Sequence, residues 1–230
     1  MASEVGVDRV SVVIPAADEA ATVADTVRAA RGLPGVTEVV VVDDGSRDCT
    51  CGRALAAGAR VIRSRVNRGK GWAMDRGWRE TAGGTVLFLD ADLGAAAAGA
   101  DVLLEPVRAG RADLSIATFR RLPNAGGLGL VVRLAKLGLM KLVGFETVDP
   151  LSGQRAVARR VLEAIGGLEA GFGAEVGMTI DAVRKGFRVV EVPTAMTHRL
   201  TGRSWRDVRH RGRQLMDVAA ALVWRVRREG

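Results

Sequence analysis

Three short acidic clusters carry the first chemical signal in this chain: Asp18-Glu19, Asp43-Asp44 and Asp90-Ala91-Asp92. Each stands at the end of an apolar, β-branched run: Val10–Pro15 (VSVVIP), Glu38–Asp43 (EVVVVD) and Thr85–Asp90 (TVLFLD). Carboxylates at strand ends repel a phosphate unless a cation intervenes or they meet something other than phosphate. An Asp carboxylate can accept a uracil or guanine N–H, Glu19 can accept ribose hydroxyls, and Asp92 offers the hard oxygen that Mg2+ or Mn2+ takes. Lys70 sits among glycines in Asn67–Trp72 (NRGKGW), an ammonium where the backbone leaves room for a phosphate. Glu175, in Gly171–Asp181 (GFGAEVGMTID), reads either as a carboxylate capping or salt-bridging its helix or as a group facing substrate hydroxyls, as hydrogen-bond partner or base. His198, in Met196–Arg199 (MTHR), reads as a structural imidazole or as a metal ligand.

The elements that must position these groups alternate. After the first strand, Ala20–Ala30 predicts a helix with Asp18 near its start as a cap. Asp44-Gly45-Ser46 is a turn, Arg60–Ser64 a short strand, Lys70–Thr81 a helix, Ala98–Ala109 another helix and Leu114–Ala117 a strand. Continuous apolar strands separated by helices imply a parallel sheet covered on both faces, whose ligands gather at strand C-terminal ends. Further on, Arg120–Gly127 (RRLPNAGG) reads as a basic loop and Leu128–Val143 as an apolar helix, followed by a turn over Asp149–Gly153. A helix over Phe172–Lys185 and a strand over Arg188–Val192, closed by Pro193, complete the pattern.

The chain has 230 residues, 48% hydrophobic and 26% charged, which suits one globular domain or one with an appendage. Its net charge of +8 is concentrated at one end. From Arg199 to Gly230 nine arginines face three acidic residues, a local net of +6, which leaves +2 for everything before it. This distribution disfavours a diffuse nucleic-acid-binding surface, and no nucleic-acid partner is expected. A first strand ending in PAADE rather than a glycine-rich phosphate turn disfavours a dinucleotide dehydrogenase. Glu4 and Asp8 interrupt any signal-peptide core, no apolar run is long enough to span a membrane, and Cys49 and Cys51 read as two unpaired thiols, so the expected location is the cytoplasm.

Order, spacing and strand context together resemble the GT-A fold glycosyltransferases, in particular the family 2-like enzymes that use nucleotide-diphosphate sugars. Val12–Glu19 (VVIPAADE) is similar to their first nucleotide-binding loop, Val41–Ser46 (VVDDGS) to their base-recognition turn and Phe88–Leu93 (FLDADL) to their DxD metal motif. Asp18 stands where that loop more usually has Asn. The resemblance implies an α/β GT-A fold with a mixed, mostly parallel sheet and helices on both faces. It implies that Pro15, Ala16, Glu19, Asp43, Asp44, Lys70, Asp90 and Ala91 bind the nucleotide sugar. Asp149–Gln154 (DPLSGQ), Gly171–Asp181 and Met196–Arg199 look most like the acceptor-side motifs of the glucosyl-3-phosphoglycerate synthases. Carried over, this places Leu151, Ser152, Gly153 and Arg199 on the acceptor, Asp92 and His198 on Mg2+ or Mn2+, and Asp92 and Glu175 in catalysis.

The expected reaction is metal-dependent transfer of a hexose, UDP- or GDP-linked with UDP-glucose favoured, to a small phosphorylated acceptor such as 3-phosphoglycerate. Val190–Ser204 (VEVPTAMTHRLTGRS) is also similar to the polyprenyl-phosphate mannose and glucose synthases, which keeps a lipid-phosphate acceptor at the membrane surface open. The expected organisation is a GT-A domain over 1–200, with a nucleotide-sugar half over about 1–120 and an acceptor half over about 121–200, then a basic helix over 201–230. In that helix Trp205, Val208, Leu215, Val218, Leu222 and Val226 recur at helical spacing with arginines between them. Such a helix packs on its own domain, on a second subunit in a homodimer, or on the inner face of a membrane through residues 204–228 as a peripheral contact. Its first residues, Arg199 and Arg203, read alternatively as part of an element closing over the diphosphate.

Overall fold

The structure, a computed structural model, describes residues 9–119, 129–168, 171–196, 216–223 and 225. Seven strands form one sheet: β1 (Val10–Ala16), β2 (Val36–Asp44), β3 (Arg60–Ser64), β4 (Thr85–Phe88), β5 (Leu114–Phe119), β6 (Arg155–Ala158) and β7 (Val189–Thr194). Their spatial order is β3-β2-β1-β4-β6-β5-β7. All neighbours are parallel except β6, which runs antiparallel to both β4 and β5, so the sheet is mixed and mostly parallel as expected. The helices are α1 (Val23–Arg31), α2 (Thr50–Ala56), α3 (Lys70–Arg79), α4 (Asp101–Arg108), α5 (Gly129–Val143), α6 (Arg159–Ile165), α7 (Ala174–Arg184) and α8 (residues 216–223, with Arg225 also helical).

The apolar strands are buried on both faces, as their unalternating sequences require: Val10, Val12, Val13, Ile14, Val40 and Val41 have no exposure. The register then decides where the acidic ends fall. Ala16 of β1 pairs with Asp43 of β2, and Val13 pairs with Phe88, whose next residue Leu89 still donates its N–H to the Val13 carbonyl at 3.1 Å. Three acidic strand ends thus emerge along one edge of the sheet, at the crevice where an open α/β sheet binds ligands.

Several local expectations change. Asp18 does not cap α1, which starts at Val23 with Thr22 before it. It adopts φ +59°, the one described non-glycine residue with positive φ, and its Oδ1 accepts the Arg47 N–H at 2.7 Å. Asn and Asp are the L-residues that tolerate this left-handed conformation, which gives a backbone reason for Asp18 at this place. Pro193 does not close β7 but lies within it, opposite Thr118; β7 is an edge strand, where the missing N–H costs no ladder bond. The helix expected over Ala98–Ala109 is a 3-10 turn over Gly94–Ala100 running into α4. β6, α6 and α2 are additions, all short segments of four to seven residues without a strong periodicity. The Arg120–Gly127 loop lies outside the described residues.

Asp113 ties the far side of the sheet. Its carboxylate, 5% exposed, accepts the Arg188 N–H at 2.8 Å and pairs with the guanidinium groups of Arg188 and Arg160, joining β5, β7 and α6. Burial alone would raise its pKa, but the hydrogen bonds from Arg188 and Arg160 outweigh it and hold the group at about 2. A carboxylate lowered on folding stabilises above its unfolded value, and that stabilisation is lost as pH falls through the folded value. Asp113→Asn is therefore expected to cost about 1–2 kcal/mol at pH 7, allowing for the exposed guanidinium partners, with the gap from wild type closing between pH 4 and 2. Urea unfolding of both proteins across that range checks this.

Candidate active site

The site is assembled around Lys70, the first residue of α3, which follows Gly69 at φ +98°. Its loop is held from beneath by Asp44, whose Oδ1 and Oδ2 accept the Arg68 and Gly69 N–H groups at 2.8 and 2.7 Å. From there the ammonium reaches Asp90 Oδ1 at 2.6 Å and Glu175 Oε1 at 2.9 Å. Burial would lower the lysine pKa, but the two carboxylates, Asp90 first and Glu175 next, hold it well above its ordinary value. Gln154 Nε2 donates to the other Asp90 oxygen at 2.7 Å, and Ser152 Oγ donates to Gln154 Oε1 at 3.3 Å. Gly153 lies directly on the ion pair. A Cβ there would stand 2.6 and 2.7 Å from the Asp90 oxygens and would collide with Lys70 Nζ, so a side chain at this turn would displace the Lys70–Asp90 pair.

Glu175, on the first turn of α7, is 2% exposed. Lys70 satisfies one oxygen; Oε2 is buried with no hydrogen-bond partner among the described residues, an acceptor that a ligand hydroxyl would satisfy. Beneath it lies Arg155, at the start of β6, with no exposure at all. Nε donates to the Ser152 carbonyl at 2.8 Å, Nη2 to the Pro150 carbonyl at 3.1 Å, and Nη1 to the Glu175 carbonyl and Thr179 Oγ1, both at 2.8 Å. Burial pushes this guanidinium down to about 10, so it stays charged at neutral pH. A single side chain thus joins the turn over residues 150–152 to the helix start that carries Glu175. Glu191 of β7 supports the same turn from outside, accepting the Val148 and Asp149 N–H groups.

The remaining strand-end groups lie further along the crevice. Asp43 is wholly buried; Oδ1 accepts the Ser46 N–H at 2.9 Å and Oδ2 faces Arg63 Nε at 3.4 Å. The Pro15–Glu19 loop is tied to the next one, with Asp18 N–H donating to Ser46 Oγ at 3.0 Å and Glu19 N–H to Thr50 Oγ1 at 2.8 Å. Ala91 is buried, its carbonyl accepting Thr26 Oγ1 at 2.9 Å. Glu19 has a raised pKa, from burial first and then from the negative fields of Asp92 and Asp90. A cation beside Asp92 would offset that field, and a carboxylate oxygen is a donor that a hard divalent ion takes. Among the described residues no three His, Cys, Asp or Glu side chains converge as a metal cage. His198 and Arg199 lie outside the described residues.

Of the residues singled out from the sequence, the structure brings Lys70, Asp90, Ser152, Gly153 and Glu175 into one connected cluster and places Leu151 half-buried at its rim. Arg155, Gln154 and Glu191 were not singled out. Arg155 follows DPLSGQ directly, and an arginine opening a strand reads as a solvent-facing residue until the fold buries it.

The model of glycosyl transferase family 2 matches residues 11–166. The chain is 32% identical over 195 residues to the glucosyl-3-phosphoglycerate synthase of Mycobacterium tuberculosis strain H37Rv, covering 75% of this chain and 60% of the relative. It is 29% identical over 215 residues to the dolichol-phosphate mannosyltransferase of Pyrococcus furiosus, covering 85% of this chain and 58% of the relative. The chain thus spans about 60% of the length of these curated relatives. The crystal structure of the Mycobacterium tuberculosis synthase with Mg2+ and UDP superposes with a TM-score of 0.79 at 30% identity, over 94% of this chain and 79% of that one. The same enzyme with Mn2+, UDP and glucosyl-3-phosphoglycerate gives a TM-score of 0.79 at 31% identity, over 94% of this chain and 79% of that one. The expected GT-A architecture is therefore the one observed, and with more than half its length matched, the chain belongs to glycosyl transferase family 2.

Proposed function

We propose that this chain transfers a hexose from a nucleotide-diphosphate sugar, with UDP-glucose as the favoured donor, to a small phosphorylated acceptor of the 3-phosphoglycerate kind. The observation that carries the reading is the Lys70 ammonium held between Asp90 and Glu175 beneath the Gly153 turn, with Glu175 Oε2 buried and unsatisfied among the described residues. An ammonium, a carboxylate oxygen able to accept a hydroxyl, and a glycine turn beside one another support a site for a sugar diphosphate and its acceptor. The likeness to synthase structures with UDP, a divalent metal and glucosyl-3-phosphoglycerate supports this choice of donor and acceptor.

Asp92, with His198, would hold Mg2+ or Mn2+, which when bound neutralises charge developing on the leaving diphosphate. The protein's own groups do the rest. Asp43, Asp44 and the Pro15–Ala16 strand end line the nucleoside side, where Asp44 shapes the lysine loop through its two amide bonds. Lys70 fixes the Glu175 rotamer through Oε1, so Oε2 faces a sugar or acceptor hydroxyl already oriented. Ser152 and Gly153, held by Arg155, seat the acceptor. Asp92→Ala is expected to abolish metal-dependent release of nucleoside diphosphate from donor and acceptor; wild-type turnover in that variant, or turnover unaffected by EDTA, would sink the reading.

One observation favours a second acceptor class. Helix α5 presents Leu130, Leu137 and Met140 to solvent at 68%, 58% and 41% exposure, among Arg133, Lys136 and Lys141 and with no acidic residue. That pattern suits an anionic, apolar surface, and the dolichol-phosphate relative acts in that chemistry by name. Assays of UDP-glucose with 3-phosphoglycerate and with a polyprenyl phosphate in detergent separate the two acceptors.

A further inference from the structure

The arginine-rich end of the chain raised the question of what its helix contacts, and three glycines answer for its described part. A Cβ at Gly138 of α5 would collide with the Leu222 side chain, one at Gly171 with the Asp217 carboxylate, and one at Gly177 of α7 would lie 2.6–2.9 Å from the Arg225 guanidinium. Glycine inside a helix is unfavourable, and Gly138 and Gly177 both give up that preference where α8 needs the space. Leu222 and Val218 join Val131, Ala135, Leu139, Val176 and Ile180 in a core distinct from the one around the sheet.

The polar contacts are more specific still. Arg225, 3% exposed, pairs with Asp181 of α7 through both ends of its fork, Nε to Oδ1 at 2.9 Å and Nη2 to Oδ2. Asp181 lies on the helix that opens with Glu175. At the other end of α8, Asp217 covers Gly171, whose backbone abuts Gly69: a Cβ on Gly69 would meet the Gly171 nitrogen at 3.3 Å. Gly69 immediately precedes Lys70. Lys70 and Glu175, the two partners of this ion pair, are therefore each backed through one end of the described part of α8.

We infer that α8 is a brace of the candidate active site: the Arg225–Asp181 pair positions Glu175 through α7, and Asp217 over Gly171 backs the loop that delivers Lys70. The described part of the C-terminal segment thus acts on transfer from within the domain, and Arg225 is a positioning residue. The catalytic part of this inference rests on the functional reading above; the mechanical part does not. Supporting contacts of this kind govern how well a site is preorganised, and small misplacements are costly in rate.

The test uses the full chain with Arg225→Met, Arg225→Lys and Gly177→Ala, assayed for transfer from UDP-glucose and followed by amide hydrogen exchange. Arg225→Met and Gly177→Ala are expected to lower kcat roughly tenfold with donor KM changed less than about threefold, below their unfolding midpoints. Arg225→Lys, which keeps one charged contact, should recover part of the loss. Exchange at residues 69–73 and 174–179 should quicken in the same two variants by roughly tenfold. Unchanged kcat in a folded Gly177→Ala or Arg225→Met protein, or unchanged exchange at both segments, overturns the brace. Should the wild type transfer to no acceptor, the functional reading falls, and the exchange comparison still decides whether α8 braces the site. Gly177→Ala and Arg225→Lys keep the test open if Arg225→Met does not fold.

Discussion

Replacing Lys70 by Met is expected to lower kcat by about 100- to 1,000-fold, equivalent to about 3–4 kcal/mol of lost transition-state stabilisation. The ammonium contacts Asp90 and Glu175 at 2.6 and 2.9 Å in a site where Glu175 is buried and the lysine half-buried. Removing it leaves two carboxylates facing each other across a poorly solvated gap and takes away the fixed positive charge that a sugar diphosphate would meet. The variant should also unfold more easily at pH 7. The pH dependence follows from the lysine. Its pKa is raised on folding, so its stabilising contribution is fully present below its ordinary value near 10.5 and is lost only as pH rises through the higher folded value. Chemical denaturation at pH 5, 7 and 9, alongside steady-state kinetics, checks both parts; a Lys70→Met protein with wild-type kcat would remove Lys70 from the site.

Arg155→Met should be the most destabilising single change in the described structure, by about 3–5 kcal/mol. Methionine approximates the length of the side chain but leaves the carbonyls of Pro150 and Ser152 without the donors that now reach them at 3.1 and 2.8 Å, while the Glu175 carbonyl keeps the Thr179 hydroxyl at 3.0 Å. Each buried unsatisfied acceptor costs about 1–3 kcal/mol, partly recovered by local relaxation or entry of water. Because the same guanidinium fixes the 150–152 turn against α7, the folded fraction should also show a raised acceptor KM with a smaller change in donor KM. Arg155→Lys, which supplies three donors without the planar fork, should restore part of the stability and less of the acceptor affinity. Thermal unfolding with and without nucleotide, together with initial rates against acceptor concentration, reads both effects. Equal losses toward donor and acceptor would show that Arg155 supports the fold as a whole and not the acceptor turn.

These two residues mark the limit of sequence reading in this protein. Lys70 was recognisable because glycines flank it and because the acidic strand ends around it follow an order that few folds share. Arg155 was not. Its value lies in four oxygen atoms contributed by residues 150, 152, 175 and 179, and nothing local to Gln154-Arg155-Ala156 shows that they converge. Asp44 illustrates a third case. The sequence marked it correctly as a strand-end carboxylate, but only the structure shows both oxygens committed to the Arg68 and Gly69 amides, so that it shapes the lysine loop. Asp18 reads in the sequence as a cap of the following helix, yet it holds a left-handed backbone and accepts the Arg47 amide, a matter of φ that composition does not report.

The sequence by itself determined every strand but β6, the unbroken β-branched runs being stable only when buried on both faces, and with them the placement of the acidic ends along the C-terminal ends of a mostly parallel sheet. It also determined the order of those ends, and so the family. What only the tertiary structure decided is which groups meet across long separations in the chain. The antiparallel insertion of β6 brings residues 150–155 beneath Glu175, and the glycine-seated helix α8 closes on α5 and α7. Local periodicity encodes which face of an element is apolar, whereas ion pairs such as Lys70 with Asp90 and Glu175, or Arg225 with Asp181, depend on the relative placement of elements far apart in sequence, and that placement is settled by packing.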